Sequence, residues 1–462
     1  MCDGGRPCRC HNESAVALAT HVRMGGNIVL QSGLGDAPVV AHQRSAPRPR
    51  AQTTNQEGDT MFTVLRFLVV LTAFLLLQAS ALAEKKYAPV VTDTEIKIGQ
   101  TYPYSGPISS YSTIAKTQLA YFDKINAEGG VNGRKVKLLS LDDGYQPPKT
   151  VEQTRKLVEA EEVLLLFQPL GTPTVTAIQK YVNARHIPTL FIASGASRWG
   201  DYKGSPWTMG WQPTYHNEMG IFANYIMKNL PHAKVAVLFL NNDAGKDFLE
   251  GVQLGFGDQY KKFVVSEIAV EVTDPTIDSQ IITMRDSGAD VVIDTVPPKA
   301  AAQTIRKMFD MGWQPTHLLS SISASLALVL KPAGLEKSVG ILSLSYIKDV
   351  SSPEWKDDPA TLEYFNFMKK YYPQGDPTDA ANVYGYSTAQ TMIQVLKQCG
   401  DDLTRENVMK QAANLKNLEL PMLLPGIKIN TSPTDYFLIQ QMQMIRFDGT
   451  RWMPIGGVLG LE

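Results

Sequence analysis

The chain has 462 residues of ordinary globular composition, which is long enough for two or three domains and excludes a single small core. Its formal net charge is -1 at pH 7. Because contact with a nucleic-acid backbone requires a basic surface, this charge balance predicts no nucleic-acid partner.

Residues 61–83 have the pattern of a secretory signal peptide. The segment MFTVLRFLVVLTAFLLLQASALA places Arg66 before an apolar core and ends in Ala-Leu-Ala, which predicts cleavage after Ala83. A membrane anchor is the alternative, but the apolar run of about 11 residues is well short of the roughly 20 that span a bilayer. No cysteine lies near the cleavage site. We therefore expect a secreted protein without a lipid anchor.

Residues 1–60 precede this signal and are expected to be an untranslated or disordered extension, with translation starting at Met61. An alternative interpretation takes Cys8, Cys10 and His11 as metal ligands, but one C-x-C-H cluster without a second pair is a weak zinc signal. We expect no metal and no cofactor. After residue 83 the chain has one cysteine, Cys399, which predicts no disulfide within the mature chain.

From residue 96 onward, short apolar runs alternate with amphipathic stretches, a pattern typical of βαβ units around a parallel sheet. The first series predicts strands at 96–100, 136–141, 163–167 and 188–193, with helices at 113–128, at 148–161 and from Thr172 onward. A second series predicts strands at 235–240, 263–270, 291–296 and 318–321, with helices at 216–229, 246–259, 276–287 and 299–311.

The rest of the chain is less regular. Residues 343–359 are predicted to be a crossover or surface loop, followed by helices at 362–372 and 380–398 and a β-like end at 427–453. The two series predict two α/β lobes, each a doubly wound parallel sheet. Ligands of such sheets bind at the carboxyl ends of strands, beside a topological switch point.

Enzyme motifs receive little support. No phosphate-binding glycine motif follows a strand, and Gly195-Ala196-Ser197 lacks the second glycine of a nucleophile elbow. The four histidines after residue 83 have no partner at helical spacing, so we expect each of them at the surface or in a cap. Asp142-Asp143 is interpreted as a turn signal because adjacent side chains of an extended chain point in opposite directions.

Small or hydroxylic residues follow three predicted strands of the first series. They are Ser105-Gly106, Gly171-Thr172 and Ser194 to Ser197. Two of these runs lead into predicted helix starts, where free N–H groups and the helix dipole favour an anion. Ordinary N-capping is the alternative at each site. Their convergence predicts a neutral cradle for a carboxylate. In the second series, Asp243 follows a strand and is a possible further ligand contact.

The mature chain resembles the solute-binding proteins of ABC importers, specifically the leucine/isoleucine/valine-binding family with the type I periplasmic fold. The resemblance covers about residues 93–455 and is carried by IKIGQTYPYSGPISSY, INAEGGVNGRKVKLLSLDDGYQPPKT, Gly171-Thr172, IPTLFIASGAS and NVYGY. It implies three crossovers, near residues 209–214, 341–345 and 427–436. It also implies lobes of residues 84–210 plus 345–430 and of residues 211–344 plus 431–462.

The resemblance implies a binding site as well. Tyr111 walls the pocket, Gly171, Thr172, Ser194, Gly195 and Ala196 bind a carboxylate, and Tyr384 packs on the ligand body. Amino-acid binders of the family add an acid on the second lobe, near Ser321 here, where no acid occurs. Ser321 itself is a possible second-lobe contact of the ligand. They also place a threonine where this chain has Ala196. A carboxylate with an apolar or aromatic body, contacted by Tyr111, Trp199 and Tyr384, is therefore expected in preference to an α-amino acid.

The resemblance implies that the protein captures a small carboxylate ligand in the periplasm by hinge closure, including the option of a hydrophobic amino acid. Expected partners are the ligand, an inner-membrane ABC permease and its ATPase subunits, with the binding protein a monomer. A ligand-sensing binder for a membrane receptor is the alternative, and a secreted α/β enzyme is a more distant one.

Overall fold

A computed structural model describes residues 85–88 and 90–460 of the chain. The predicted extension and signal peptide lie outside the described residues. Among the helices within those two ranges, none is long and apolar enough to cross a membrane.

Strands and helices alternate along the described chain, as the sequence predicts. The strands are β1 (Lys86–Tyr87), β2 (Glu95–Tyr102), β3 (Lys135–Asp142), β4 (Leu166–Phe167), β5 (Thr189–Ile192), β6 (Thr208–Gly210), β7 (Val235–Leu240), β8 (Val264–Val270), β9 (Val291–Asp294), β10 (Thr316–Leu319), β11 (Leu342–Ser345), β12 (Asp402–Leu403), β13 (Gln441–Phe447) and β14 (Trp452–Gly460). The α-helices are α1 (Ser112–Ala127), α2 (Pro147–Arg155), α3 (Thr172–Ala184), α4 (Tyr215–Asn229), α5 (Asp243–Phe256), α6 (Tyr260–Phe263), α7 (Asp278–Asp286), α8 (Pro298–Asp310), α9 (Lys331–Ala333), α10 (Pro359–Tyr371), α11 (Ala380–Cys399) and α12 (Arg405–Ala412).

The first large sheet has five parallel strands in the order β3-β2-β4-β5-β6. Its inner strands are apolar because helices cover both faces of a parallel sheet. In β2 the side chains of Ile96 and Ile98 are buried and lie opposite Val136 and Leu138 of β3. The carboxyl ends of these strands therefore meet at one edge, where the predicted site residues follow them.

The second large sheet has seven strands in the order β14-β13-β11-β10-β9-β7-β8. The five neighbouring strands β8, β7, β9, β10 and β11 are parallel to one another. At the other edge, β13 pairs antiparallel with β11, and β14 pairs antiparallel with β13. The prediction of a loop from residue 343 is wrong at its start, because Leu342–Ser345 is strand β11 and pairs with β10 and β13. The predicted β-like end begins later than residue 427, at Gln441.

The chain passes between the two large sheets three times. It crosses between β6 and β7, returns between β11 and α10, and crosses again between α12 and β13. Helices α10 and α11 belong to the first sheet because their aromatic side chains surround Tyr121 of α1. The ring centroid of Tyr121 lies 5.8 Å from Phe367 and 5.0 Å from Tyr386. The body around the five-stranded sheet is the first lobe, and that around the seven-stranded sheet is the second lobe. The predicted architecture of two α/β lobes joined by three crossovers is confirmed.

One histidine departs from its expected position at the surface. His317 is buried in β10, and its Nε2 lies 3.3 Å from Asp294 Oδ2 of β9. The expectation is wrong because β10 lies between β9 and β11 in the interior of the sheet, so its side chains pack under helices. A buried histidine beside a buried carboxylate satisfies two polar groups at once.

Candidate functional site

A cavity of about 500 Å³ lies between the two lobes. First-lobe residues Tyr111, Gly171, Thr172 and Tyr384 line it, and so does second-lobe residue Ser321. These five residues come from four separate parts of the sequence. Of the three strand-end runs that are predicted to converge, Gly171-Thr172 lines this cavity, whereas Ser105-Gly106 is not among the residues that line it, and the Ser105 hydroxyl donates to Asp142 of β3 instead. The cavity is large enough for a small molecule.

Four of the predicted ligand-binding residues that do not line the cavity lie close behind its wall or at a nearby helix start. Ser194, Gly195 and Ala196 follow β5 behind the cavity wall, and Asp243 lies at the start of α5. The Asp243 carboxylate is partly exposed and lies 3.6 Å from the guanidinium of Arg198. Direct contact of these four residues with a ligand stays a prediction.

The first-lobe wall contains the N-terminus of α3. Gly171 precedes the helix with φ of 106° and ψ of 148°, and no side chain caps this end. The first N–H groups of a helix have no partner within the helix, and they carry the positive end of its dipole. This end of the cavity therefore offers neutral hydrogen-bond donors to an anion.

Ser194 supports this wall from behind. Its buried hydroxyl lies 2.8 Å from Thr172 Oγ1, and its oxygen accepts from Trp199 Nε1 at 2.9 Å and from the Ala196 N–H at 3.2 Å. The side chain thus connects the β5 end, the start of α3 and Trp199. Trp199 is predicted to contact the ligand, but it is buried and is not among the residues that line the cavity. Its role in the described structure is to fix the position of Thr172.

The small size of Gly195 has a packing reason. A Cβ atom there would lie 2.6 Å from the Pro213 carbonyl oxygen and 2.7 Å from the Tyr215 ring. The Gly195 carbonyl also accepts from the Tyr215 N–H at 2.7 Å. The small-residue run after β5 therefore allows the first crossover to pass close to the site.

Hydrogen bonds from the hydroxyl groups of Tyr111, Ser197 and Ser325 join the lobes around the cavity. Tyr111 donates its hydroxyl to the Ile322 carbonyl at 2.9 Å. Ser197 donates to Asp247 Oδ1 at 2.7 Å, and Ser325 donates to Asp379 Oδ1 at 3.0 Å. Because each bond connects one lobe to the other, the structure has the lobes in contact over the cavity. Burial raises the pKa of Asp379 to about 6.

Several lining residues are not apparent from the sequence. Tyr384 donates its hydroxyl to Gln212 Oε1 at 2.9 Å, so the first crossover contributes to the wall. Tyr346 lies just after β11, in the second crossover, and Trp452 comes from the added strand β14. Residues of the crossovers and of the C-terminal hairpin β13–β14 therefore line the cavity. Their positions depend on long-range pairing of strands, which the local sequence pattern does not predict.

Charged side chains are few and lie on one side. Of the described residues that line the cavity, those with charge are Lys348, Asp349 and Glu354, all in the second crossover. Lys348 pairs with Asp358 at 2.8 Å, and its ammonium lies 4.7 Å from the Trp355 ring centroid. The α3 end of the cavity is therefore neutral, and the aromatic and aliphatic walls suit an apolar ligand body.

One buried acid near the site is absent from the sequence predictions. Glu218 of α4 is 2% exposed, and its Oε1 accepts from the Ser321 N–H at 2.6 Å. Its Oε2 accepts from Ser321 Oγ at 2.9 Å. Glu218 does not line the cavity, but it contacts the residue that does. Sequence spacing gave no signal for it, since 103 residues separate the two.

Two expectations about polar pairs have different outcomes. The turn interpretation of Asp142-Asp143 is confirmed, because Asp142 accepts from the Gly144 N–H at 3.0 Å and Asp143 from the Tyr145 N–H at 2.9 Å.

His216 has two acidic neighbours that the spacing of residues along the chain does not predict. Its Nε2 lies 3.6 Å from Asp247 and 3.9 Å from Glu250, both on α5. This group lies outside the cavity lining, and we assign no metal to it.

Two α/β lobes that meet over a cavity define the class of two-lobed ligand-binding proteins. The profile of the Periplasmic binding protein family matches residues 95–451, and the chain belongs to that family. The family is a class of solute-binding, non-catalytic proteins, and solute binding is the role of this chain.

Individual relatives are distant. The Leu/Ile/Val-binding protein homolog 7 of Brucella suis biovar 1 (strain 1330) is 21% identical over 345 residues, which cover 72% of this chain and 83% of that protein. A branched chain amino acid ABC transporter from Thermus thermophilus with bound valine is 15% identical with a TM-score of 0.73, covering 80% of this chain and 98% of that one. An R. palustris solute binding protein in complex with benzoate is 19% identical with a TM-score of 0.67, again covering 80% and 98%. These two structures share the fold.

Proposed function

We propose that this protein captures a small carboxylate ligand with an apolar or aromatic body in the periplasm and delivers it to an ABC permease of the inner membrane. Hydrophobic amino acids belong to this ligand class. The protein acts as a monomer, without catalysis, and the permease is powered by its own ATPase subunits. Export through the segment at residues 61–83 is part of the proposal.

The observation that carries the proposal is the composition of the cavity between the lobes. Its α3 end combines an uncapped helix N-terminus with Thr172, which suits a carboxylate held by neutral donors. Its walls include Tyr111, Tyr384 and Phe248, which suit an apolar or aromatic body. Valine and benzoate, bound by the two fold relatives, both combine a carboxylate with an apolar body.

Closure supplies the capture step. Tyr111 and Ser325 take part in hydrogen bonds between the lobes and also line the cavity, so a ligand there is enclosed by the same residues that hold the lobes together. Hinge closure around a ligand is a known route to such enclosure. The permease then distinguishes the closed, loaded form from the open one.

A thermal-shift screen tests the ligand class. Leucine, valine, benzoate, phenylacetate and 4-methylpentanoate are added singly to the protein. A true ligand at about 100 times its Kd stabilises the fold by about 2.7 kcal/mol. With an unfolding entropy of about 2.1 cal/mol/K per residue, this raises the Tm by about 3 °C.

Two tyrosine variants control the screen. Tyr111→Ala removes a cavity wall and an interlobe bond and should abolish the shift. Tyr260→Ala should leave it, because the Tyr260 hydroxyl bonds to Glu267 away from the cavity. Failure of every acid to raise the Tm would refute the proposed ligand class. Uptake of the identified ligand by cells with and without this gene tests transport, and unchanged uptake would refute the delivery step.

A further inference from the structure

The Glu218 carboxylate has an unusual setting for an ionisable group. It is buried in the second lobe, where the N–H and the hydroxyl of Ser321 donate to it at 2.6 and 2.9 Å, and the Ser320 side chain is a further neighbour. Within residues 85–88 and 90–460, no lysine, arginine or histidine forms an ion pair with it. Burial raises its pKa to about 6, so the group is still mostly ionised at neutral pH. A buried carboxylate with serine donors and no cationic partner is costly, and such groups are common at functional sites.

This arrangement fixes the polarity of Ser321. A serine hydroxyl has one hydrogen to donate and two lone pairs to accept with. An ionised carboxylate can only accept, so the Ser321 hydrogen must point to Glu218. Ser321 lines the cavity, and its Oγ then has lone pairs but no free hydrogen to offer to a ligand.

The neighbouring hydroxyl has the same polarity. Tyr111 donates its hydrogen to the Ile322 carbonyl at 2.9 Å, so its oxygen also remains an acceptor. Both residues line the cavity, next to the short turn at Ser321–Ser323. The donors of the α3 end and the acceptors of this turn therefore belong to the same cavity, with opposite polarity.

We propose that Glu218 is a positioning residue that sets Ser321 as a hydrogen-bond acceptor and so selects ligands that carry a hydroxyl or ammonium group beside their carboxylate. This inference rests on the proposed function and narrows its ligand class. A keto acid has a carbonyl oxygen where the hydroxy acid has its hydroxyl group. That oxygen and Ser321 Oγ would then face each other as two acceptors without a hydrogen between them. The keto acid would bind more weakly than the hydroxy acid of the same shape.

A glutamine at position 218 separates this role from simple support of the turn. Glu218→Gln keeps the length of the side chain, and its amide oxygen still accepts from the Ser321 N–H. Its amide nitrogen now donates to Ser321 Oγ, which leaves the serine hydrogen free to point into the cavity. The polarity of Ser321 is thereby reversed, whereas a purely supporting role would change the affinity for all ligands by the same factor.

The test compares 2-hydroxy-4-methylpentanoate with 2-oxo-4-methylpentanoate by titration calorimetry at pH 7.5. We expect the wild-type protein to prefer the hydroxy acid, and the ratio of the two affinities to fall at least tenfold in Glu218→Gln. Ser321→Ala should remove the preference without reversing it, and it serves if the glutamine variant does not fold. Glu267→Gln, an exposed acid that accepts from Tyr260, is the matched control and should keep the wild-type ratio.

The outcomes distinguish the two proposals. If both acids bind and the ratio is the same in wild type, Glu218→Gln and Ser321→Ala, the inference is overturned and the proposed function stands. If neither acid nor any acid of the thermal screen binds the wild-type protein, the proposed function is overturned and the inference falls with it. A ratio that changes only in Glu267→Gln would also overturn the inference.

Discussion

Replacing Gly171 by alanine tests how the first lobe builds its half of the cavity. At φ of 106° and ψ of 148° the backbone is in a region that side chains rarely adopt, which costs about 1 to 3 kcal/mol. The added Cβ would also lie 2.3 Å from Tyr145 Cε2 and 2.7 Å from Thr174 Oγ1. Overpacking of this kind costs about another 1 to 3 kcal/mol. We expect Gly171→Ala to lower the free energy of unfolding by about 2 to 6 kcal/mol.

Gly129 provides a control that separates the two costs. Its φ of 104° is almost the same, but a Cβ there meets nothing within 4 Å. Gly129→Ala should therefore show the backbone cost alone, about 1 to 3 kcal/mol. Urea unfolding, with equal m-values for both variants, gives the difference between them.

Ligand affinity provides the second readout. Tyr145 lines the cavity, so its displacement in Gly171→Ala should weaken binding at least tenfold, a change of about 1.4 kcal/mol. Gly129→Ala should leave the affinity unchanged. Equal destabilisation by the two variants, together with unchanged affinity in both, would refute the reasoning, since it would mean that Tyr145 yields to the new methyl group without cost.

Two further predictions concern the contacts between lobes. Tyr111→Phe removes the bond to the Ile322 carbonyl and should weaken ligand binding by about 1 kcal/mol, mainly through faster ligand release, measured by stopped flow. Tyr436→Phe removes a tyrosine–carbonyl bond away from the residues that line the cavity and should leave ligand release unchanged. Equal release rates of the two variants would contradict the prediction. The native pKa of Asp379 is raised from 3.8 to about 6, so the folded state binds an extra proton between these values and loses stability as pH rises through that window. Relative to Asp379→Asn, the wild type should therefore gain about 2 to 3 kcal/mol from pH 7 to pH 4 in urea unfolding, and a constant difference would show that the raised pKa is wrong.

The strand and helix pattern was predictable because it depends on local periodicity. The predicted helix at 380–398 is α11 (Ala380–Cys399), and the predicted strand at 235–240 is β7. Leu342–Ser345 was misassigned since its pairing partners, β10 and β13, are set by the return of the chain from far away. Sheet membership is a long-range property that a short window of sequence does not contain.

The candidate site was predictable to a similar depth. Gly171 and Thr172 were identified from their position after a strand, and they line the cavity. The role of Ser194 was not predictable, because it depends on Trp199 and Thr172 approaching the same hydroxyl in three dimensions. Glu218 was missed for the same reason.

The position of Glu218 changes the argument about the missing acid. An acid at the cavity surface would pair with a ligand ammonium directly. Here the acid is Glu218, which does not line the cavity but contacts Ser321, which does. At about 5 Å and an effective dielectric of 20, the buried charge attracts an ammonium by about 3 kcal/mol. Desolvating the ammonium costs several kcal/mol, so this attraction offsets only part of the cost.

A hydroxyl group on the ligand costs less free energy to desolvate than an ammonium group does. Its burial costs about 1 to 3 kcal/mol, and one hydrogen bond to Ser321 Oγ compensates for much of that cost. If Glu218 acts as inferred, 2-hydroxy-4-methylpentanoate should bind more tightly than leucine, which has the same body and an ammonium in place of the hydroxyl. Calorimetry on the wild-type protein measures the order directly. Tighter binding of leucine would contradict the prediction. It would mean that Glu218 attracts the ligand ammonium by more than about 3 kcal/mol.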